Sequence, residues 1–248
     1  MERNLRYEEW FERGHVAIVT GASKGFGRAV ARELARLGLR LVIDARGADL
    51  LRQAEDELAA LTDVIAIAGD VADNEHVHRL IAAAEQRFGR LDLVVNNASS
   101  LGRTPLPPVA QISPATLDRL VGVNLAAPLH VMQHAIPLLA RDGGGTIVNV
   151  SSDAAVEAYE GWGGYGATKA ALDHLSQVLA LELHGTDVSV LVVDPGDMAT
   201  DLHAAAVPDA DLSQLRDPRE MAPALLAAIA APRPQYARVA LAPLPVRA

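Results

Sequence analysis

Six apolar runs of five or six residues punctuate this chain: V-A-I-V-T (16–20), L-R-L-V-I-D (39–44), V-I-A-I-A (64–68), L-D-L-V-V-N (91–96), T-I-V-N-V (146–150) and V-S-V-L-V-V (188–193). Runs this short and this continuous read as strands buried on both faces, and A-R-V-A-L-A (237–242) is a seventh candidate. Between the first two runs, Phe26, Val30, Leu34 and Leu37 share one helical face while Arg28, Arg32 and Arg36 share the other, and Gly38 sits where the helix should stop. That is a βαβ unit. Parallel neighbours require crossover connections, and both sheet faces must then be covered. The pattern therefore predicts an α/β, single-domain Rossmann fold: a doubly wound parallel sheet of about seven strands with helices on both faces. Residues 15–248 form this domain, and residues 1–14, which alternate charges with a few aromatics, form an N-terminal extension. The Pro-rich patches at 105–108 and 232–234 are too short to divide it.

Composition removes several function classes. A formal net charge of -9 has the wrong sign for a domain that lives on phosphate backbones or anionic lipid, so neither nucleic acid nor a membrane is an expected partner. With no cysteine there is no disulfide framework, thiolate nucleophile or cysteine-ligated metal. No metal site is expected at all. The start of the chain lacks the apolar run of a secretory signal, and no apolar stretch approaches the ~20 residues of a membrane span. A cytoplasmic protein is expected. His76 and His78, at i and i+2 on a probable helix, face apart and read as surface residues.

The first strand runs into T-G-A-S-K-G-F-G (20–27) and then directly into the amphipathic helix. Gly21, Gly25 and Gly27 permit a tight turn and close backbone approach, so a pyrophosphate can sit against the free N–H groups of the helix N-terminus. A glycine triplet alone is weak evidence; strand before and helix after give it meaning. Farther on, Tyr165 and Lys169 stand one turn apart on the same face of a helical pattern. An ammonium beside a phenol stabilises the phenolate, which suits the pair to acid–base work on a hydroxyl. With four tyrosines and two lysines in 248 positions, a chance pairing at this spacing is expected only ~0.03 times.

The G-x-x-x-G-x-G spacing behind a threonine, followed by Y-x-x-x-K, resembles the short-chain dehydrogenase/reductase family, whose members use a single Rossmann domain of about this length. The resemblance covers residues 15 to about 200 and weakens in the last fifty. It implies Ser152, thirteen residues before Tyr165, as the catalytic serine that holds the substrate oxygen, with Ser151 structural. It implies Asn124 as the residue holding a water that links Lys169 to solvent. Asn124, Ser152, Tyr165 and Lys169 are thus the expected catalytic set. In N-N-A-S (96–99), Asn96 is expected to brace the sheet and Ala98 to lie along the cofactor, with Ser99 in place of the family's glycine. The resemblance puts Gly21, Ser23, Lys24, Gly25, Phe26 and Gly27 against the phosphates, Asp70 and Val71 beside the adenine, and Pro195, Gly196 and Thr200 along the nicotinamide.

The acid that selects NAD in this family falls at Ala45 here, while the base that selects NADP falls at Arg46, with Lys24 as a second base. Asp44 lies one position early. NADP is the expected cofactor and NAD the alternative. The expected activity is NADP(H)-dependent interconversion of a carbonyl and an alcohol on a small-molecule substrate. Epimerisation or dehydration on the same fold, or non-catalytic dinucleotide sensing, are the alternatives. Substrate walls are expected at 99–103 and 153–162 and in a lid at about 197–218, but their mix of acids with Tyr159, Trp162 and Leu202 names no substrate. The resemblance implies a homodimer or homotetramer formed through the helices at about 115–140 and 165–183.

Overall fold

The computed structural model describes residues 10–141, 143–232 and 234–244. Seven strands, β1 (Val16–Val19), β2 (Arg40–Ala45), β3 (Val64–Ala68), β4 (Leu93–Asn96), β5 (Gly145–Val150), β6 (Val188–Asp194) and β7 (Tyr236–Ala240), form one sheet in the order β3-β2-β1-β4-β5-β6-β7. Every pairing is parallel. The fold expectation is met. The chain builds outward from β1 to β3, returns to place β4 on the other side of β1, and then builds outward to β7. That reversal leaves a crevice beyond the carboxyl ends of β1 and β4, where open α/β sheets take their ligands.

Eight α-helices cover the sheet among the described residues: α1 (Gly25–Arg36), α2 (Ala48–Ala59), α3 (Asn74–Phe88), α4 (Pro114–Val121), α5 (Ala127–Arg141), α6 (Gly163–Glu182), α7 (Asp201–Ala206) and α8 (Pro218–Ala230). Strand alternation divides the core between the two faces. On β1, Ala17 and Val19 pack with Val30 and Leu34 of α1 and Leu225 of α8, while Val16 and Ile18 pack with Leu80 of α3, Met132 of α5 and Leu172 of α6. All of these are fully buried, which explains why the strands read as continuous apolar runs.

Two details depart from the sequence reading. The helix expected at 115–140 is divided by a wide π turn at Gly122–Ala126 that joins α4 to α5. Residues 1–9 of the expected N-terminal extension lie outside the described residues. Of the remainder, Phe11 is buried in the α1/α8 core, and Gly14 donates its N–H to the Gly38 carbonyl at the end of α1.

Candidate active site

A cavity of about 700 Å³ opens at the carboxyl ends of the strands and runs from Arg46 and Asp70, past the glycine turn, to Ser152, Tyr165 and Lys169. Its middle is shaped by backbone. Gly21 (φ +67°) and Gly25 (φ +57°) adopt left-handed conformations that disfavour any side chain. Gly27 serves close packing instead: a Cβ there would lie 2.3 Å from Asn97 Nδ2 and 2.5 Å from the Gly21 carbonyl oxygen. The Asn97 amide donates to the carbonyls of Thr20 and Gly21 at 2.9 and 3.3 Å, and the Thr20 hydroxyl accepts from the N–H groups of Asn97 and Ala98, both at 3.0 Å. The turn is thereby tied to the end of β4. No side chain caps α1, no acid lies in its first turn, and Lys24, Gly25 and Phe26 at its start line the cavity.

At the other end, the residue after Tyr165 is glycine, and a Cβ on Gly166 would lie 2.4 Å from the Ala154 carbonyl oxygen. This close approach brings α6 against the segment after β5 and puts Tyr165 and Ser152 on one cavity. Trp162 packs edge-on against the Tyr165 ring at 5.5 Å between centroids. Lys169 Nζ lies 5.6 Å from the ring centre of Tyr165 and donates to the Val150 carbonyl at 2.7 Å. Burial pushes the Tyr165 phenol up to about 12, with a Ser99 hydrogen bond opposing and Asp194 and Asp153 adding to the rise. Burial likewise pulls the Lys169 ammonium down to about 8, opposed by Asp173. The phenol is therefore the dominant Tyr165 form near neutral pH, because desolvation of both groups outweighs the effect expected from their proximity.

Ser152 donates its hydroxyl to Asp153 Oδ1 at 2.8 Å and accepts from the Ala154 N–H at 3.1 Å. Burial raises the Asp153 carboxyl, but donors from Ser152, Tyr159 and the Ala154 amide outweigh it and the net shift is downward. Beneath the serine, Arg238 of β7 donates to the Ser152 carbonyl at 3.0 Å and to Asp173 Oδ2 at 2.8 Å.

The sequence-derived residues divide into those on the cavity and those behind it. Gly21, Ser23, Lys24, Gly25, Phe26, Arg46, Asp70, Val71, Ala98, Ser152, Tyr165, Lys169, Pro195, Gly196 and Thr200 line it. Gly27, Asn96 and Asn124 do not. Asn96 donates to Asn149 Oδ1 at 2.8 Å between β4 and β5. Asn124, fully buried in the π turn, donates to the Ser100 carbonyl and Thr168 Oγ1 and accepts from Ser99 and Ser100. Lys24 donates to Asp201 Oδ2 of α7, and Arg119 of α4 to Asp70 Oδ2 at 2.7 Å.

One expectation is corrected. His76 is not a surface residue: it is fully buried, with Nε2 3.0 Å from Asp44 Oδ2, whereas His78 is exposed. The helix phase carried the signal, since His76, Val77, Leu80, Ile81 and Ala84 form the buried face of α3. Asn97, Arg119 and Arg238 were also missed. Asn97 stood in plain view in the N-N-A-S motif, but the two cations are recruited from helices and strands remote in sequence.

Comparison with known proteins decides the family. The short chain dehydrogenase family model matches residues 15–211. The chain belongs to the short-chain dehydrogenase/reductase family of oxidoreductases. Among its relatives, a short-chain type dehydrogenase/reductase of Picea abies is 35% identical over 208 residues, covering 79% of this chain and 75% of the relative. A short chain dehydrogenase from Pseudomonas syringae superposes with a TM-score of 0.85 at 30% identity, covering 92% of this chain and 95% of that one. A metagenomic short-chain oxidoreductase solved in complex with NADP gives a TM-score of 0.78 at 30% identity, with 94% and 98% covered. Family members bind a nicotinamide dinucleotide and act on small molecules, and no helix among the described residues is long and apolar enough to cross a membrane.

Proposed function

We propose that this protein is an NADP(H)-dependent oxidoreductase that interconverts a carbonyl and a secondary alcohol on a small-molecule substrate, with Tyr165 exchanging the hydroxyl proton. The observation that carries this reading is the sharing of one cavity by Tyr165, Ser152 and Lys169 at one end and an uncapped helix N-terminus behind a glycine turn at the other. The donor set suits a dinucleotide. Backbone N–H groups from the turn and α1 would hold the pyrophosphate, Asp70 and Val71 would flank the adenine, and Pro195, Gly196 and Thr200 would border the nicotinamide. Lys24 and Arg46 are the cations available to a 2′-phosphate, and the metagenomic neighbour holds NADP. Asp44 offers no opposition to that phosphate, because its carboxylate is turned inward and buried.

Bound there, the nicotinamide supplies or accepts the hydride. The chain's own residues manage the oxygen. Ser152 turns its hydroxyl from Asp153 to the substrate oxygen and holds it there. In the reductive direction Tyr165, a neutral phenol at working pH, donates its proton to that oxygen, and Lys169 stabilises the phenolate left behind. Asn124 acts from behind by fixing the Ser100 backbone and the Ser99 hydroxyl at the rim of the site. The substrate end carries Asp153, Asp194 and Asp197 while Lys24 and Arg46 lie toward the adenosine end, so a neutral or cationic substrate is favoured over an anionic one. Exposed Leu117 and Val121 of α4 and Val178 and Leu181 of α6 are the apolar positions on which a homodimer or homotetramer would build.

The test is Tyr165→Phe, assayed with NADPH over a panel of aldehydes and ketones. Loss of about 10²–10⁴ in kcat with NADPH affinity retained supports the reading. Near-normal turnover in a folded Y165F protein removes Tyr165 from the chemistry. Binding of NADPH without turnover of any substrate by the parent chain favours a sensor.

A further inference from the structure

Asp44, the next-to-last residue of β2, borders the cavity, yet its carboxylate is buried and turned into the protein. Its carbonyl accepts from the Ala22 N–H at 2.9 Å and its Oδ1 from the Gly21 N–H at 2.9 Å, so one residue holds two successive amides of the glycine turn. Its Oδ2 faces His76 Nε2 at 3.0 Å, with both side chains buried. The far nitrogen of the imidazole, Nδ1, lies 3.2 Å from Nη2 of Arg79, which is exposed on α3. The ring also lies flat beneath Gly69, where a Cβ would stand 2.2 Å from Nδ1, one residue before Asp70.

Donor counting fixes every proton in this row. A guanidinium only donates, so Nδ1 must accept; Nε2 then carries the hydrogen, and Oδ2 must accept it. Burial raises the Asp44 carboxyl, and the His76 and Gly21 donors oppose that rise. An exposed cation thus specifies, through one imidazole, a buried carboxylate that grips the phosphate-binding turn.

We propose that Asp44, His76 and Arg79 form a positioning relay for the adenosine half of the cofactor, aligning the glycine turn with the ends of β2 and β3 without touching the ligand. The inference rests on the dinucleotide reading of the cavity. It extends to three residues that the Tyr165 chemistry does not use.

The relay is tested by reversing its polarity. Asp44→Asn confronts either the Gly21 N–H or the relay with a second donor: if its amide points at Nε2, the ring must place its hydrogen on Nδ1, against Arg79. Adding Arg79→Gln supplies an oxygen that accepts that hydrogen. Arg79→Gln alone can still donate to Nδ1. Binding of NADPH, NADH and ADP by the full chain is measured by titration, alongside kcat at saturating cofactor and thermal unfolding. The expected pattern is an about ten-fold weaker binding of NADPH and ADP in D44N, with kcat within about three-fold of the parent, as one unmatched buried donor predicts. R79Q stays near the parent, and the double variant D44N/R79Q recovers most of the loss. Unchanged affinity in D44N, or no recovery in the double variant, overturns the relay while leaving the proposed function intact. Failure of the parent chain to bind NADPH and NADH overturns both. If D44N does not fold, His76→Gln and His76→Leu replace it: Gln keeps a donor for Asp44, so weaker ADP binding confined to Leu supports the relay and equal binding by both overturns it.

Discussion

Lys24 of the glycine turn donates to the Asp201 carboxylate of α7 across the mouth of the cavity, at 2.5 Å. Both side chains are largely exposed, at 57% and 75%, so the pair is weak. Lys24 is also a cation proposed to read the 2′-phosphate of NADP, so Asp201 competes with the ligand for it. Asp201→Asn should therefore lower KM for NADPH, by about two- to five-fold as befits an exposed pair, with KM for NADH unchanged. Lys24→Ala should raise KM for NADPH alone. Equal effects of Lys24→Ala on the two cofactors would show that Lys24 does not discriminate between them.

The buried ammonium of Lys169 gives a pH signature with a definite sign. Its pKa falls from 10.5 unfolded to about 8 folded. Turnover that depends on the charged lysine should decline as pH rises through about 8, and a plot of kcat/KM against pH checks this. Stability moves oppositely. Between pH 8 and 10.5 the unfolded chain keeps a proton that the folded chain has shed, so the cost of burying this lysine shrinks as pH rises through that window. Above pH 10 Tyr165, raised to about 12, reverses the trend by holding its proton in the folded state. Lys169→Met should lose turnover yet be the more stable protein at pH 7, with its advantage shrinking by pH 9.5 in urea titrations. An advantage that does not change with pH would mean the lysine is not titrating in the folded chain.

Arg238 and Asp173 tie the edge strand to the Ser152 end of the cavity. Arg238→Leu removes the donor to the Ser152 carbonyl and leaves Asp173 without its cation. The expected result is a loss of about 10- to 150-fold in kcat, the scale of one charge-assisted hydrogen bond, with KM for NADPH little changed. Asp173 raises the pKa of Lys169, so Asp173→Asn should move the basic limb of the kcat/KM profile to lower pH. A limb that stays in place would uncouple Asp173 from Lys169.

The sequence was most readable where backbone demands and periodicity acted together. The strand runs are apolar throughout because both faces of a parallel sheet are covered, and Gly21 and Gly25 were legible because a left-handed turn tolerates little else. Tyr165 and Lys169 could be paired from helix geometry alone. What stayed hidden was the polar wiring behind the cavity. Asp44 looked like a misplaced ribose ligand because its partner, His76, lies 32 residues away on α3. Treating His76 and His78 as a pair obscured the phase of α3, which buries one and exposes the other. Arg238 could not be matched to Ser152 from sequence, since that contact exists only once β7 has docked beside β6.

Gly27 offers a final test, because its reason for being glycine is packing and not conformation. An added methyl would stand 2.3 Å from Asn97 Nδ2 and 2.5 Å from the Gly21 carbonyl oxygen. The first neighbour is a side chain that can be removed; the second is backbone of the glycine turn itself. Gly27→Ala should therefore destabilise the protein by about 1–3 kcal/mol, as overpacking does, and weaken NADPH binding as the turn is pushed aside. Adding Asn97→Ala should recover only part of either loss, since the Gly21 carbonyl still blocks the methyl. Gly122, with φ −57° and only the Ala72 Cβ, at 3.7 Å, near an added Cβ, is the control: Gly122→Ala should leave NADPH binding and unfolding almost unchanged. Full recovery in the G27A/N97A protein would place the constraint on Asn97 and not on the turn.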